Sequence, residues 1–511
     1  MRVQLGKSPT FNSFIFFAFV LIVSQSACKK DHTPIDPGPG STGTPATRSE
    51  LTKDSIFLYA KDTYLWNTLL PTYEVFKPRK FTSKPTDTEN FEDELSSIKS
   101  YAPLDKYSFL DDGSVSSELG GTGGDYGFSV FYNSADDLRI KYISPNSPAA
   151  IKGLRRGYQI TKVNGRTALL SSVPANISFL VDAVFGDHPS ITLTVRKFDN
   201  TTEDLTVTKG SYSINPVQFT KTFTVGAKKV GYLVFGSFTT NAAAVLDNAF
   251  TEFSNAGVSE LIVDLRYNGG GSVSTADILT NLIAPASKTG SLMYTTFWTQ
   301  TMQEGKASIL ANLPLYDKSG HVQPYKDGVN GKFATYADLD YSPTSAENLE
   351  KFAKRGSLNI NRVYFIVTGS TASASELVIN SLRPVMDVKL IGRKTYGKPV
   401  GFFPIHIDKL DLYIPQFQTK NSLSQGEYFT GMTVDKEDAD DITKEFGDPT
   451  ERYLSYALNY ADKGVFSVAP SAKQTVSSTR KLTSAETDML THELDKGTFK
   501  GLINDHKFKA K

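Results

Sequence analysis

The stretch VTGSTASASELVINSL, residues 367–382, joins an apolar run to an amphipathic one and crowds hydroxyls into the junction. An apolar run, a polar turn and a helical pattern in that order read as a β-strand entering an α-helix. The hydroxyls admit two explanations. Ser373 and Glu376 have the S-x-x-E spacing of a capping box, which satisfies backbone N–H groups at a helix start. A serine in the first helical turn also lies beside unpaired N–H groups and the positive end of the helix dipole. That setting stabilises the oxyanion formed when a hydroxyl attacks a carbonyl.

Strand and helix patterns alternate on both sides of this junction. VGYLVFGSF (230–238), NAAAVLDNAFTEFSNAG (241–257), ELIVDLR (260–266), RVYFIVTG (362–369) and VKLIGRK (388–394) describe an α/β core, a mixed sheet with flanking helices. In such folds functional loops gather at strand ends. Residues 288–360 break the alternation with polar, Tyr- and Gly-containing sequence and read as an insertion in a core spanning 213–465. ERYLSYALNYADKG (451–464) is a late helix, and the polar chain from 466 to 511 is expected to be peripheral.

Upstream, residues 48–112 are mostly helical, with Asp54 as a candidate cap and a second helix over 89–102. Residues 113–212 turn β-rich. YGFSVFYN and LRIKYIS read as strands joined by SADD, and SITLTVRK with TEDLTVTK as a hairpin around FDNT. Between these pairs, Ser147–Pro148 starts a short helix and YQITKVNG forms a strand.

The N-terminus reads as an export signal over residues 1–27. Arg2 and Lys7 precede FIFFAFVLIV, an apolar run too short to span a bilayer. Cys28 is the only cysteine, so it serves no internal disulfide. Residues 28–47, rich in Pro, Gly, Ser and Thr, read as a tether. A net charge of +1 without a basic stripe gives no electrostatic reason to expect nucleic acid, and 12% aromatic residues argue against wholesale disorder.

Two further pieces sit at strand ends. VDLRYNGGG (263–271) opens a strand into three glycines, which let backbone N–H groups approach a ligand. Its spacing fits neither G-x-G-x-x-G nor a Walker loop, and leaves an oxyanion hole open. GRKTYGKPVGF (392–402) carries Lys398. A Ser–His–Asp triad needs a histidine, and of six only His406 is a candidate in the α/β region; there is no G-x-S-x-G elbow. A Ser–Lys pair needs a neutral amine. Moving a lysine from about 10.4 to near 7 takes roughly 4.6 kcal/mol, which burial among Tyr396, Val400, Phe402 and Phe403 can supply. Ser375 and Lys394 are the alternative nucleophile and base.

TASASE, DLRYNGGG and TYGKPVG, behind a module similar to a PDZ domain, resemble the carboxyl-terminal processing (tail-specific) serine proteases. The resemblance covers roughly residues 48–464. It implies an α/β protease core with a PDZ-like domain and a small N-terminal helical domain. Ser373 would be the nucleophile and Lys398, 25 positions later, the base. Oxyanion donors would come from Gly270 or Gly271 and the N–H of Ala374, with no metal or organic cofactor. Tyr126, Gly127, Phe128, Ser129 and Val130 fall where such PDZ-like domains hold a substrate's terminal carboxylate and pair with its strand. Ser-Ala-Cys at 26–28 resembles a bacterial lipobox, implying a lipid anchor on Cys28 in the cell envelope. The expected partners are polypeptides with free apolar C-termini. Phe402 departs from the pattern, since many relatives carry a glutamine there that orients the lysine. A non-catalytic, peptide- or ligand-binding envelope lipoprotein is the alternative.

Overall fold

The structure, a computed structural model, describes residues 45–316, 320–325, 332–467, 480–495 and 499–505. The expected signal segment, Cys28 and most of the tether lie outside the described residues. Helix α1 (Arg48–Thr63) begins six residues before the expected cap. Asp54 is therefore interior, and its carboxylate accepts from Arg79 and Tyr73. Helix α2 (Asp87–Ser100) has a true capping box between Thr86 and Glu89. Ile56, Phe57, Phe91 and Leu95 share one buried cluster with the core sheet, so these helices close no core of their own.

The β-rich region is an antiparallel sheet whose spatial order follows the chain: β1 (Phe128–Ser134), β2 (Asp137–Ile143), β3 (Gln159–Val163), β4 (Ser190–Arg196) and β5 (Thr202–Thr208). Helix α3 (Pro174–Phe185) sits between β3 and β4 in the chain. Tyr132, Ile140, Leu180 and Leu193 pack between helix and strands. Strand β1 is an edge.

The core follows as β6 (Val217–Val225), β7 (Lys228–Phe235), α4 (Ala242–Asn255), β8 (Glu260–Asp264), β9 (Gly270–Ser272), α5 (Val273–Ile283), β10 (Leu292–Trp298), β11 (Leu349–Lys351), β12 (Arg362–Val367), α6 (Ala374–Leu382), β13 (Asp387–Gly392), β14 (Val400–Gly401), β15 (Phe417–Asn421), β16 (Lys436–Glu437) and α7 (Arg452–Lys463). The main sheet has the order β16-β13-β12-β8-β7-β6, parallel except for β6. Its central strands are apolar on both faces, as a covered parallel sheet requires. Val263 and Phe365 face α4, α5 and α6, while Ile262, Tyr364 and Ile366 face Leu454 and Ala457 of α7. The segment expected as an insertion contributes β10 and β11 to a second antiparallel sheet, order β11-β10-β15-β14.

The end of the chain is not peripheral. Helix α8 (Ser484–Leu494) buries Leu490 and Leu494 in the cluster of the five-stranded sheet. Strand β17 (Gly501–Ile503) pairs in parallel with β9. A polar sequence with a two-leucine helix and a three-residue strand carries little periodic signal, which is why this packing was not anticipated. Among the described residues, no helix is long and apolar enough to cross a membrane.

Candidate active site

The turn between β12 and α6 sorts its hydroxyls by use. Thr371 Oγ1 accepts from the Thr368 N–H and donates to the Leu265 carbonyl at 2.6 Å. Thr368 donates to the Arg266 carbonyl, Ser370 to Asp495, and Ser375 to the Asn268 carbonyl. These bonds tie the turn to the glycine loop and the tail. Ser373 Oγ is the exception in this turn: it is buried and has no hydrogen-bond partner among the described residues. The expected capping box is therefore only half made. The Glu376 carboxylate accepts from the Ser373 N–H, while the serine hydroxyl caps nothing.

Ser373 has φ 63° and ψ −110°. A side chain in that region costs on the order of 1–3 kcal/mol and persists only where its surroundings enforce it. Enforcement comes from Glu376, whose Oε2 accepts from both the Ser373 and the Lys398 N–H groups, each at 2.8 Å. The two backbone nitrogens thus lie within twice that distance of each other. The other oxygen, Oε1, takes the Thr395 hydroxyl and the Gly397 N–H. Burial nevertheless raises the Glu376 carboxyl above its usual range, against these four bonds. One carboxylate in the first turn of α6 thus fixes both loops that were expected to carry the chemistry. The S-x-x-E spacing was the signal for it.

Lys398 is fully buried. Burial pushes its amine well below the ordinary lysine range; Asp105 and Glu376 oppose that shift and Lys500 adds to it. The Phe402 ring lies 3.9 Å from Nζ and the Tyr107 ring 5.6 Å. A ring face favours the charged amine by about 0.5–2 kcal/mol, less than the several kcal/mol that desolvation costs. The amine donates to the Lys500 carbonyl at 2.6 Å. Phe402 stands where a glutamine was expected to orient the lysine, and the amine is bonded to a backbone oxygen of the tail.

In the glycine loop, a side chain on Gly270 would stand 2.3 Å from the Gly501 carbonyl oxygen, 2.9 Å from Ser373 Cβ and 3.0 Å from the Ala374 nitrogen. Gly270 (φ 107°) therefore admits no other residue, and it brings the loop against the serine. Its N–H, expected as an oxyanion donor, instead donates to Asn268 Oδ1 at 2.9 Å. Gly271 (φ 137°) is hemmed in by the Phe238 backbone. Ala374 opens α6 beside Ser373, so its N–H belongs to the unpaired first turn. Among the alternatives, Ser375 is bonded to a carbonyl, Lys394 is exposed, and His406 is exposed and paired with Asp411.

The expected peptide-capture residues sit at the entrance to edge strand β1, and all five are buried. Tyr126 donates to the His188 carbonyl, and Gly127, at φ 77°, lies too close to Ser147 for any Cβ. The Gly127 N–H is taken by Asp125 and its carbonyl by the Ser144 N–H. Helix α8 packs against β1 and α3. The groove beside β1 is thus covered by the chain itself, and these five residues do not present an open site.

Comparison with known proteins bears on residues 229–421, which match the model of peptidase family S41. The chain is 31% identical over 156 residues to "C-terminal processing peptidase, chloroplastic" of Tetradesmus obliquus, covering 28% of this chain and 33% of that one. It is 24% identical over 265 residues to "Probable CtpA-like serine protease" of Staphylococcus aureus strain N315, covering 52% and 42%. The chain thus spans less than half the length of these curated relatives. A crystal structure described as "Putative S41 protease from Bacteroides fragilis NCTC 9343" shares the fold, with a TM-score of 0.52 and 24% identity over 83% of this chain and 98% of that one.

Proposed function

We propose that this chain, whose residues 229–421 match the model of peptidase family S41, is a serine endopeptidase of the carboxyl-terminal processing type, working through Ser373 and Lys398. The observation that carries the reading is Glu376 Oε2, which holds the backbones of both residues while Lys398 is buried and the Ser373 hydroxyl is left without a partner. A neutral Lys398 takes the Ser373 proton as Oγ bonds to the scissile carbonyl carbon. The Ala374 N–H and the glycine loop face the resulting oxyanion, the loop donating once Asn268 releases Gly270. Lys398 then protonates the leaving amine as the C–N bond breaks. Water, losing its proton to Lys398, attacks the acyl carbon, and Lys398 returns that proton to Ser373 Oγ as the ester bond breaks.

The substrates in this reading are unfolded polypeptides with apolar C-termini, held at the PDZ-like sheet around Tyr126–Val130 once α8 has left the groove beside β1. The enzyme acts in a bacterial envelope, tethered by lipid on Cys28. The test is cleavage of such a polypeptide by the intact chain and by Ser373→Ala. Retention of the original rate by the variant overturns the proposal. A second reading, a non-catalytic polypeptide-binding protein on the same fold, draws on Phe402 and on the engagement of Lys398 by the Lys500 carbonyl. Covalent labelling of Ser373 by a fluorophosphonate separates the two.

A further inference from the structure

The backbone of residues 499–505 runs through the site just described. Strand β17 pairs in parallel with β9, in the register Gly270↔Gly501, Gly271↔Leu502 and Ser272↔Ile503. The Gly501 N–H donates to the Gly269 carbonyl at 3.1 Å. On the opposite side, Phe402 N–H donates to the Leu502 carbonyl at 3.0 Å, and Asn504 N–H to the Phe402 carbonyl at 2.9 Å. The strand therefore bridges the glycine loop and the lysine-bearing segment. Its Lys500 carbonyl takes the Lys398 amine, and its Gly501 carbonyl lies against Gly270 beside Ser373. The Asp505 carboxylate fastens the far end, accepting from Ser272 Oγ at 2.6 Å and the Ser274 N–H at 3.0 Å.

We infer that Lys500–Ile503 lies where the backbone of a substrate lies, added as a strand between Gly270–Ser272 and Phe402, and that this tail must leave before another polypeptide enters. The inference rests on the peptidase reading and deepens it by assigning the strand position of the substrate. Three observations support it independently of the pairing. The Ser373 hydroxyl is left without a hydrogen bond while Lys398 is drawn to a tail carbonyl, so the pair is held out of its working arrangement. The Gly270 N–H is likewise turned to Asn268. The same tail, through α8, covers β1 and α3, the groove where an extended peptide would add. Asp495 joins these two holds. Its carboxylate accepts from Lys141 of β2 at 2.7 and 2.9 Å and from Ser370, and its carbonyl accepts from Lys500 Nζ at 3.0 Å.

A tethered occupant competes at an effective concentration on the order of millimolar, so a free polypeptide at micromolar concentration is held off until the tail is released. The test shortens the chain after residue 498, which keeps α8. The fluorophosphonate labelling rate of Ser373 is expected to rise about 10-fold or more. A synthetic peptide of residues 499–511 should slow labelling again and raise KM for an unfolded polypeptide without changing kcat. An unchanged rate in a shortened chain with an intact thermal transition overturns the inference, as does indifference to the peptide. Should the shortened chain not fold, Gly501→Pro decides instead, because it removes the N–H bonded to Gly269 in a chain of full length: the labelling rate should rise, and an unchanged rate overturns the inference. Binding of the fluorescent 499–511 peptide to the shortened chain carrying Ser373→Ala needs no catalysis. Saturable binding without any cleavage of an unfolded polypeptide by the shortened chain that keeps Ser373 sinks the peptidase reading and keeps the strand position. Cleavage without binding does the reverse.

Discussion

Lys141 and Lys398 are both buried, and their surroundings treat them in opposite ways. Lys141, in β2, has both oxygens of Asp495 within hydrogen-bond distance, and both side chains are only 4% exposed. Lys398 has a carbonyl at 2.6 Å and aromatic faces around it, but no carboxylate that close among the described residues. Burial alone therefore does not say what a lysine does. A carboxylate partner makes a charged clamp, which here joins the five-stranded sheet to the tail. Its absence leaves an amine that can give up its charge and later take a proton.

The sharpest way to break the comparison is to remove each amine. Lys398→Met and Ser373→Ala should each lower kcat on an unfolded polypeptide by about 10³-fold or more, with the fold intact by circular dichroism. Lys141→Met should instead destabilise, by about 3–5 kcal/mol in urea titration, because it strands a buried carboxylate. Equal losses of stability from the two methionine variants would erase the distinction.

Glu376→Gln keeps the shape but weakens the acceptor that fixes both loops. We expect a fall in kcat of about 10–100-fold with KM little changed. Because the Glu376 carboxylate raises the Lys398 proton affinity, the transition in the pH–rate profile should also move to lower pH. A purely structural role would not shift that profile.

The pH dependence has the same sign at the two lysine sites, stability rising with pH at both, and differs in range. Lys398 is depressed by burial, so between its folded value and the unfolded value near 10.4 the unfolded chain binds more protons. Stability and rate therefore both rise with pH as the amine deprotonates. For Asp495 burial opposes the charge, but Lys141, Lys500 and Ser370 hold the carboxyl below its usual range. Its contribution is present above the unfolded value near 3.9 and is lost as pH falls through the lower folded one. Acid should loosen the tail, read as faster exchange of amides 499–504 at low pH after correction for intrinsic rates.

A smaller effect sharpens the rule from outside the site. Glu94, in α2, is fully buried, and neither oxygen has a hydrogen-bond partner among the described residues. Burial pushes its carboxyl up to about 10. The folded chain holds a proton there that the unfolded chain releases, so stability falls as pH rises from the unfolded value near 4.3 toward that raised one. Glu94→Gln should raise the melting temperature at pH 8 by a few degrees and flatten this dependence.

Much of this was legible in the residues. The apolar strands of β8 and β12 and the hairpins β1–β2 and β4–β5 showed in local pattern, and TASASE with TYGKPVG singled out Ser373 and Lys398. Three features were hidden because their causes are non-local. The start of α1 depends on packing, so Asp54 looked like a cap. The Gly270 N–H is claimed by Asn268, whose role no spacing reveals. The tail meets Lys398 from 102 positions away, and its two leucines and short strand offer no periodicity to read.

The most direct test of the central claim follows acylation of Ser373 by a fluorophosphonate across pH, by intact mass, in the original chain and in Lys398→Met. The account predicts a rate that climbs through a transition well below the ordinary lysine range and is absent from the variant. Superimposable profiles in the two proteins, or a label on any residue other than Ser373, would contradict it.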